Sequence, residues 1–298
     1  MAKEYIYNSR TILEQFRIFC KSNSIKNLES AVEFFAIFGG LNRQVDTTLD
    51  LKEQIKEHIL RRYRYLRDDV ANLTKGDQEA HKVLAALALG DRRTNSAFKR
   101  CNINFDDGID IVDQQCDNGV LKLHKSKFKL ANQKVNLDIS EKLIFTAPFL
   151  HYWFACVSPI FKGVRDGDYK ESLERFNNRK SELFAFTFEQ LCHELVRVIY
   201  KDSGIETIGR YWDNSEDILK LIAKTKDGKI VVGSVIYRDK KAKSSDLNAL
   251  IDTTRELGID ANEYIVFSKR GFSSELKAKK SSSVRLLSLK NLSMLLDN

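Results

Sequence analysis

No two cysteines of this chain form a CxxC motif. The five present, Cys20, Cys101, Cys116, Cys156 and Cys192, are odd in number and widely spaced, which argues against a disulfide framework and for reduced, mostly buried thiols in a reducing compartment. Zinc is disfavoured as well, because the five histidines are scattered and His193-Glu194 runs on to Arg197 instead of completing HExxH. A GxxxxGK[ST] loop is absent too. Without that cradle for nucleotide phosphates, ATP hydrolysis is not expected. MAKEYIYNSR carries no signal-peptide pattern, so a cytoplasmic location is expected.

Charge is missing from one stretch. Leu143 to Phe161 holds no Asp, Glu, Lys or Arg, and it contains both prolines of the chain, Pro148 and Pro159. Its length approaches that of a membrane span. Pro148 is expected to start a buried helix and Pro159 to lie just beyond its end. The roughly ten residues between them, at about 1.5 Å each, fall short of about 30 Å of hydrocarbon. The stretch therefore reads as an apolar brace between domains, with no membrane partner.

Positive charge is plentiful. With 298 residues and 43% hydrophobic content the chain can bury more than one core. A net charge of +8 favours polyanionic partners through phosphate contacts and counterion release. The basic residues cluster: Arg61, Arg62, Arg64 and Arg67; Arg92, Arg93, Lys99 and Arg100; Lys122, His124, Lys125, Lys127 and Lys129; Arg238, Lys240, Lys241 and Lys243; Lys269, Arg270, Lys277, Lys279 and Lys280. The alternative is that such runs are solvated faces.

Residues 1–76 read as helical. Leu28, Val32, Phe35 and Ala36 predict an apolar helix ending at Gly39-Gly40, and Leu51 to Leu66 predicts an amphipathic one running into RRYRYLRDD. Tyr63-Arg64-Tyr65 has the interleaving that stacks on single-stranded bases. Alternatively, the tyrosines are half-buried and the arginines pair with Glu53, Glu57, Asp68 or Asp69.

Residues 77–137 predict a winged helix. Ala80 to Leu89 forms a first helix closed by Gly90, Thr94 caps a second through Arg100, and Phe105 to Asn118 forms a third closed by Gly119. VLKLHKSKFKL then supplies a basic hairpin wing. The third helix carries Asp106, Asp107, Asp110, Asp113 and Asp117 without one Lys or Arg, and phosphates would repel it from the major groove. Two solutions stay open. DNA can meet the wing, through Lys125 and Lys127, and the Arg92-Arg93 turn, with mainly backbone and minor-groove contact. Or the acidic helix, residues 105–118, docks a basic protein partner.

From Ile208 onwards the pattern is strand IGRYW, strand ILKLIAKT, a turn at Asp227-Gly228 and strand KIVVGSVIY. A helix over Ser245 to Leu257, strand EYIVFSK, a short helix and strand VRLLSL follow. This order resembles the PD-(D/E)xK nuclease core, whose chemistry gathers carboxylates because Mg²⁺ takes oxygen ligands, with a Lys to orient water. Laid on that family's pattern, Lys220 stands in place of the metal-binding Asp, Ser234 of the Glu and Ile236 of the catalytic Lys. The resemblance thus implies a dead nuclease. Glu189, Glu194, Glu216 and Asp217 are the acids from which a migrated site could be rebuilt.

A wider resemblance covers about residues 30–298. HKVLAALALGDRRTNSAFKR, FTAPFLHYWFACVSPIF and FEQLCHEL, followed by the hairpin, resemble the region after the motor in archaeal-type AAA+ ATPases, a winged helix and a nuclease-like domain of unassigned function. The expected fold is α+β, with a helical region (1–76), a winged helix (77–137), an apolar helical connector (138–180) and a restriction-endonuclease-like α/β domain (181–298). The expected function is non-enzymatic DNA binding without a cofactor or metal. It would use Arg92, Arg93, Lys99, Arg100, Lys125, Lys127, Lys220, Lys240, Lys241, Lys243, Lys269 and Arg270. The alternatives are a protein-interaction scaffold and a nuclease with a migrated site. The sequence leaves the oligomeric state open.

Overall fold

A computed structural model of the chain describes residues 6, 9–127, 130 and 139–297. Among the described residues, twelve α-helices combine with a two-stranded and a five-stranded sheet in a mixed α+β architecture. The chain divides into two units: residues 1–124 with 141–187, and residues 125–140 with 188–298. The division expected from sequence was finer, in four parts.

In the first unit, α1 (Ile12–Ser22) begins at a capping box. The Thr11 hydroxyl accepts the Glu14 N–H at 3.2 Å, and the Glu14 carboxylate accepts the Thr11 N–H at 2.8 Å. The predicted apolar helix is α2 (Leu28–Phe38), capped by Asn27 and closed by Gly39. The helix expected over Leu51 to Leu66 is broken into α3 (Leu51–Ile55), a π-helical turn (Lys56–Leu60) and α4 (Tyr63–Leu73). Burial explains the break. Ile55, Ile59, Leu60, Tyr63, Leu66 and Val70 are all buried, and an i→i+5 bond from the Arg61 N–H to the Lys56 carbonyl at 2.9 Å takes up the one-residue phase slip between Ile59 and Leu60.

α5 (Gln78–Leu89) starts at Asp77 and ends at Gly90, and α7 (Phe105–Asp117) is capped by Asn104; between them α6 (Thr94–Cys101) has Arg93 at its N-cap without a side-chain capping bond, so Thr94 is its first helical residue and not the expected cap. β1 (Leu121–His124) does not fold back on the residues just after it, as the hairpin reading required. It pairs antiparallel with β2 (Lys142–Phe145), while Ser126 and Lys127 run beside a strand of the second unit. Lys129 lies outside the described residues. α8 (Pro148–Cys156) opens on Pro148 with all nine residues buried, and Pro159 sits in the 3₁₀ turn that follows. Among the described residues no helix is long and apolar enough to cross a membrane. After the short α9 (Phe161–Arg165), the 30-residue α10 (Lys170–Ile199) gives its residues up to Thr187 to the first unit and the rest to the second.

The second unit holds β3 (Ile205–Trp212), β4 (Asp217–Thr225), β5 (Ile230–Ile236), α11 (Ser244–Glu256), β6 (Glu263–Ser268), α12 (Ser274–Ala278) and β7 (Val284–Ser288). The strands lie in sequence order, antiparallel from β3 to β5 and parallel from β5 to β7. Gly228 makes the hairpin turn with φ +90°, a conformation that glycine adopts without steric cost. β5 is the central strand and is apolar on both faces, as a doubly covered strand must be. Val232 packs with Ile222 and Leu250, and Gly233 leaves room for Leu221, whose Cδ2 would lie 3.1 Å from an added Cβ.

Candidate nucleic-acid interface

Strand direction decides which side chains meet. Antiparallel pairing through β5 and parallel pairing beyond it bring the C-terminal ends of β3, β5, β6 and β7 to one end of the sheet, together with the start of β4. The crevice outside the carboxyl ends of parallel strands is where open α/β sheets bind ligands. Here that end is edged by loop 237–243 after β5 and loop 269–273 after β6. The two are laced by Ala242 N–H to Gly271 O and Ser273 N–H to Ala242 O, both 2.9 Å, and the Lys269 N–H returns to Ile236 O at 3.0 Å.

These loops carry Arg238, Lys240, Lys241, Lys243, Lys269 and Arg270, six cations against Asp239 and the nearby Asp246. Arg238 reaches the Asp246 carboxylate at 2.6 Å, and Asp246 also accepts the Lys243 N–H at 2.8 Å at the start of α11. Lys240, Lys241 and Lys243 are exposed. The structure thus brings together six residues that sequence reasoning put in two separate clusters.

Lys220 lies at the same end. Its Nζ donates to the Val235 carbonyl at 3.1 Å, and its own carbonyl faces His193 Nε2 at 2.8 Å. The β4–β5 register, Leu221 opposite Gly233, sets Lys220 opposite Ser234 when carried one residue further. Alternation puts Ser234 and Ile236 on one face. The Ser234 hydroxyl is buried and has no hydrogen-bond partner among the described residues. All three nuclease-pattern positions therefore adjoin, with an ammonium already in place that would repel a divalent cation.

Glu189 and Asp217 do come together, but around a guanidinium. Arg210 Nε lies 3.0 Å from Glu189 Oε1 without hydrogen-bond alignment, and its terminal nitrogen lies 3.2 Å from Asp217 Oδ2. Arg210 is 8% and Glu189 4% exposed, so each charge depends on the other for compensation. Glu194 lies instead beside Arg197, at 3.7 Å. Among the described residues no three His, Cys, Asp or Glu side chains are grouped closely enough to hold a metal. Sequence reasoning missed Arg210, because its two partners lie on α10 and β4 and no local pattern marks them.

The basic residues expected in the wing and turn are dispersed. The Arg92 guanidinium lies 4.0 Å over the Phe186 ring, with its backbone at φ +68°. Arg93 is mostly covered, 3.9 Å from Asp91. Lys99 and Arg100 are exposed in the last turn of α6, where cations suit the helix dipole. Lys125 is exposed and Lys127 half-buried. Both belong to the second unit, where the Lys127 N–H donates to Arg210 O at 2.9 Å and the Ser126 hydroxyl to Trp212 O at 2.6 Å. Burial and nearby Arg197 lower the Lys127 pKa. All five Asp of α7 face solvent. Of the aromatic-arginine run, Tyr63 is buried and stacks on Trp153 at 5.6 Å, whereas Tyr65 is 68% exposed. Arg61 pairs with Glu57, and Arg67 with Asp68 at 2.7 Å.

Residues 153–247, from α8 to the first turn of α11, match the DUF234 family, described as archaea bacterial proteins of unknown function. No curated protein matches the chain. No solved structure matches it.

Proposed function

We propose that this chain is a non-enzymatic DNA-binding protein whose second unit is a degenerate PD-(D/E)xK nuclease-like domain, gripping mainly the DNA backbone with low sequence specificity. The observation that carries this reading is the gathering of Arg238, Lys240, Lys241, Lys243, Lys269 and Arg270 at the sheet end where Lys220, Ser234 and Ile236 adjoin. A phosphate backbone meets cations there and few uncompensated carboxylates, since Glu189 and Asp217 are held by Arg210. The strand, strand, strand, helix, strand order supports the nuclease-like assignment. The α5–α7 helices with the β1–β2 ribbon support a winged helix of the kind found after the motor of archaeal-type AAA+ ATPases.

Fluorescence anisotropy of the full chain with labelled single- and double-stranded DNA, across a salt series with Mg²⁺ present, tests it. Salt-dependent binding with the DNA left intact is the expected result. Cleavage would overturn the non-enzymatic assignment, and no binding at low salt would overturn DNA binding altogether. One observation favours a second role for the first unit. α7 presents five exposed Asp beside Phe105, 56% exposed, a surface suited to a basic protein partner.

A further inference from the structure

Asp239 is the only acid in loop 237–243, and three donors converge on one of its oxygens. Oδ1 lies 3.0 Å from Lys269 Nζ, 3.1 Å from Arg270 Nε and 2.9 Å from a terminal nitrogen of Arg270. The partners differ sharply in exposure. The Asp239 side chain is 75% exposed, whereas that of Lys269 is 8% exposed.

A covered ammonium needs a compensating anion, and the surroundings of Lys269 fix where that anion sits. On one side its Nζ lies 4.6 Å from the centroid of the Tyr237 ring, which packs on Phe188 at 5.2 Å. One compensating charge is the solvent-facing carboxylate of Asp239, 3.0 Å away. The donors are held by backbone: the Lys269 N–H is bound to Ile236 O, Gly271 turns the chain at φ +71°, and Gly271 O receives both the Ala242 N–H and the Ser268 hydroxyl. The backbone that carries the donors is therefore held in place, while Asp239 is an exposed side chain on a loop.

We propose that Lys269 and Arg270 form a binding site for a backbone phosphate of DNA, in which the Asp239 carboxylate is the resident stand-in anion that DNA displaces. The inference rests on the DNA-binding reading above. A phosphodiester oxygen accepts from ammonium and guanidinium donors as a carboxylate oxygen does, and Arg suits both. The flanking Lys240, Lys241 and Lys243 are exposed cations on the neighbouring segment, an array that fits a polyanion better than a single small anion. Asp239 then opposes binding, because DNA must displace its carboxylate from the two cations.

The test compares duplex binding by the wild-type full chain, Asp239→Asn, Asp239→Ser and Asp252→Asn. Asp252 is an exposed acid of α11 paired with Arg255 at 3.1 Å, so its variant makes the same change in net charge away from the cradle. Both Asp239 variants are expected to bind about three- to tenfold more tightly than wild type, and Asp252→Asn less than about twofold. Adding Arg270→Gln to Asp239→Asn is expected to cancel the gain. Equal gains for the Asp239 and Asp252 variants, or a gain that survives Arg270→Gln, would overturn the site and leave DNA binding standing. A wild-type chain that ignores DNA at low salt would overturn the DNA-binding reading itself. Inorganic phosphate that outcompetes DNA at equal ionic strength would overturn the backbone assignment in favour of a free phosphate ligand.

Discussion

The ammonium of Lys220 docks on the carbonyl oxygen of Val235, 3.1 Å away, between Ser234 and Ile236 on the next strand. The Lys220 side chain thus sets an ammonium against the backbone of β5. A cation at this place bears directly on how a polyanion would be received.

Replacing Lys220 by Glu removes that cation and turns a carboxylate towards the basic sheet end. Under the proposed function the variant binds DNA about tenfold more weakly at every sequence tried, with the salt slope reduced by about 1. Anisotropy titrations in parallel with wild type read this directly, and unchanged affinity would take Lys220 out of the interface.

Arg210 is the shared partner of Glu189 and Asp217. Arg210→Met leaves the Glu189 carboxylate buried and uncompensated, and an orphaned buried charge costs about 3–5 kcal/mol. Urea denaturation at neutral pH is expected to show a loss of that size. Glu189→Gln paired with Arg210→Met should recover part of it, because the uncompensated charge is then gone.

His151 is buried beneath Phe186 and Phe145, and burial, reinforced by nearby Arg92, pulls its pKa from 6.5 to about 3. The unfolded chain therefore binds a proton that the folded chain refuses throughout this window. Stability is complete above pH 6.5 and falls as pH drops from 6.5 towards 3, by up to about 1.4 kcal/mol per unit. Thermal melts of wild type and His151→Gln at pH 7 and pH 5 check this: the variant starts less stable but loses less between the two pH values.

Tyr63 and Tyr65 are two residues apart and opposite in environment. Tyr63→Ala removes a buried ring stacked on Trp153 and is expected to cost about 3–5 kcal/mol, as aromatic truncations in cores do. Tyr65→Ala should stay within about 0.5 kcal/mol of wild type. Chemical denaturation separates the two, and the same Tyr65 variant tested on single-stranded DNA shows whether that ring stacks on bases.

Local chemistry made much of the fold legible. Gly39 and Gly90 end helices where the sequence marks them, whereas the capping oxygens belong to Asn27, Asp77 and Asn104 and not to Thr94. The alternating and continuous apolar runs from Ile208 onwards are the strands, because the spacing of side chains along a strand is fixed at two. Reading failed where a partner lies far along the chain. The strand facing β1 was sought just after it, in residues that instead run beside β3, and the π-turn at Lys56–Leu60 records a packing demand from buried neighbours that helical periodicity cannot express.

By itself the sequence determined the apolar helix at Leu28–Phe38, the helices over residues 78–117 and the strand order from Ile208 onwards, and that Lys220, Ser234 and Ile236 cannot supply the carboxylates and lysine of the nuclease pattern. Only the tertiary structure decided that Arg210 lies between Glu189 and Asp217, and that Lys269 and Arg270 converge on Asp239. The physical reason is range. Caps, turns and periodicity act over a few residues, whereas charge compensation in a covered site is settled by strand order and register, which join residues tens of positions apart.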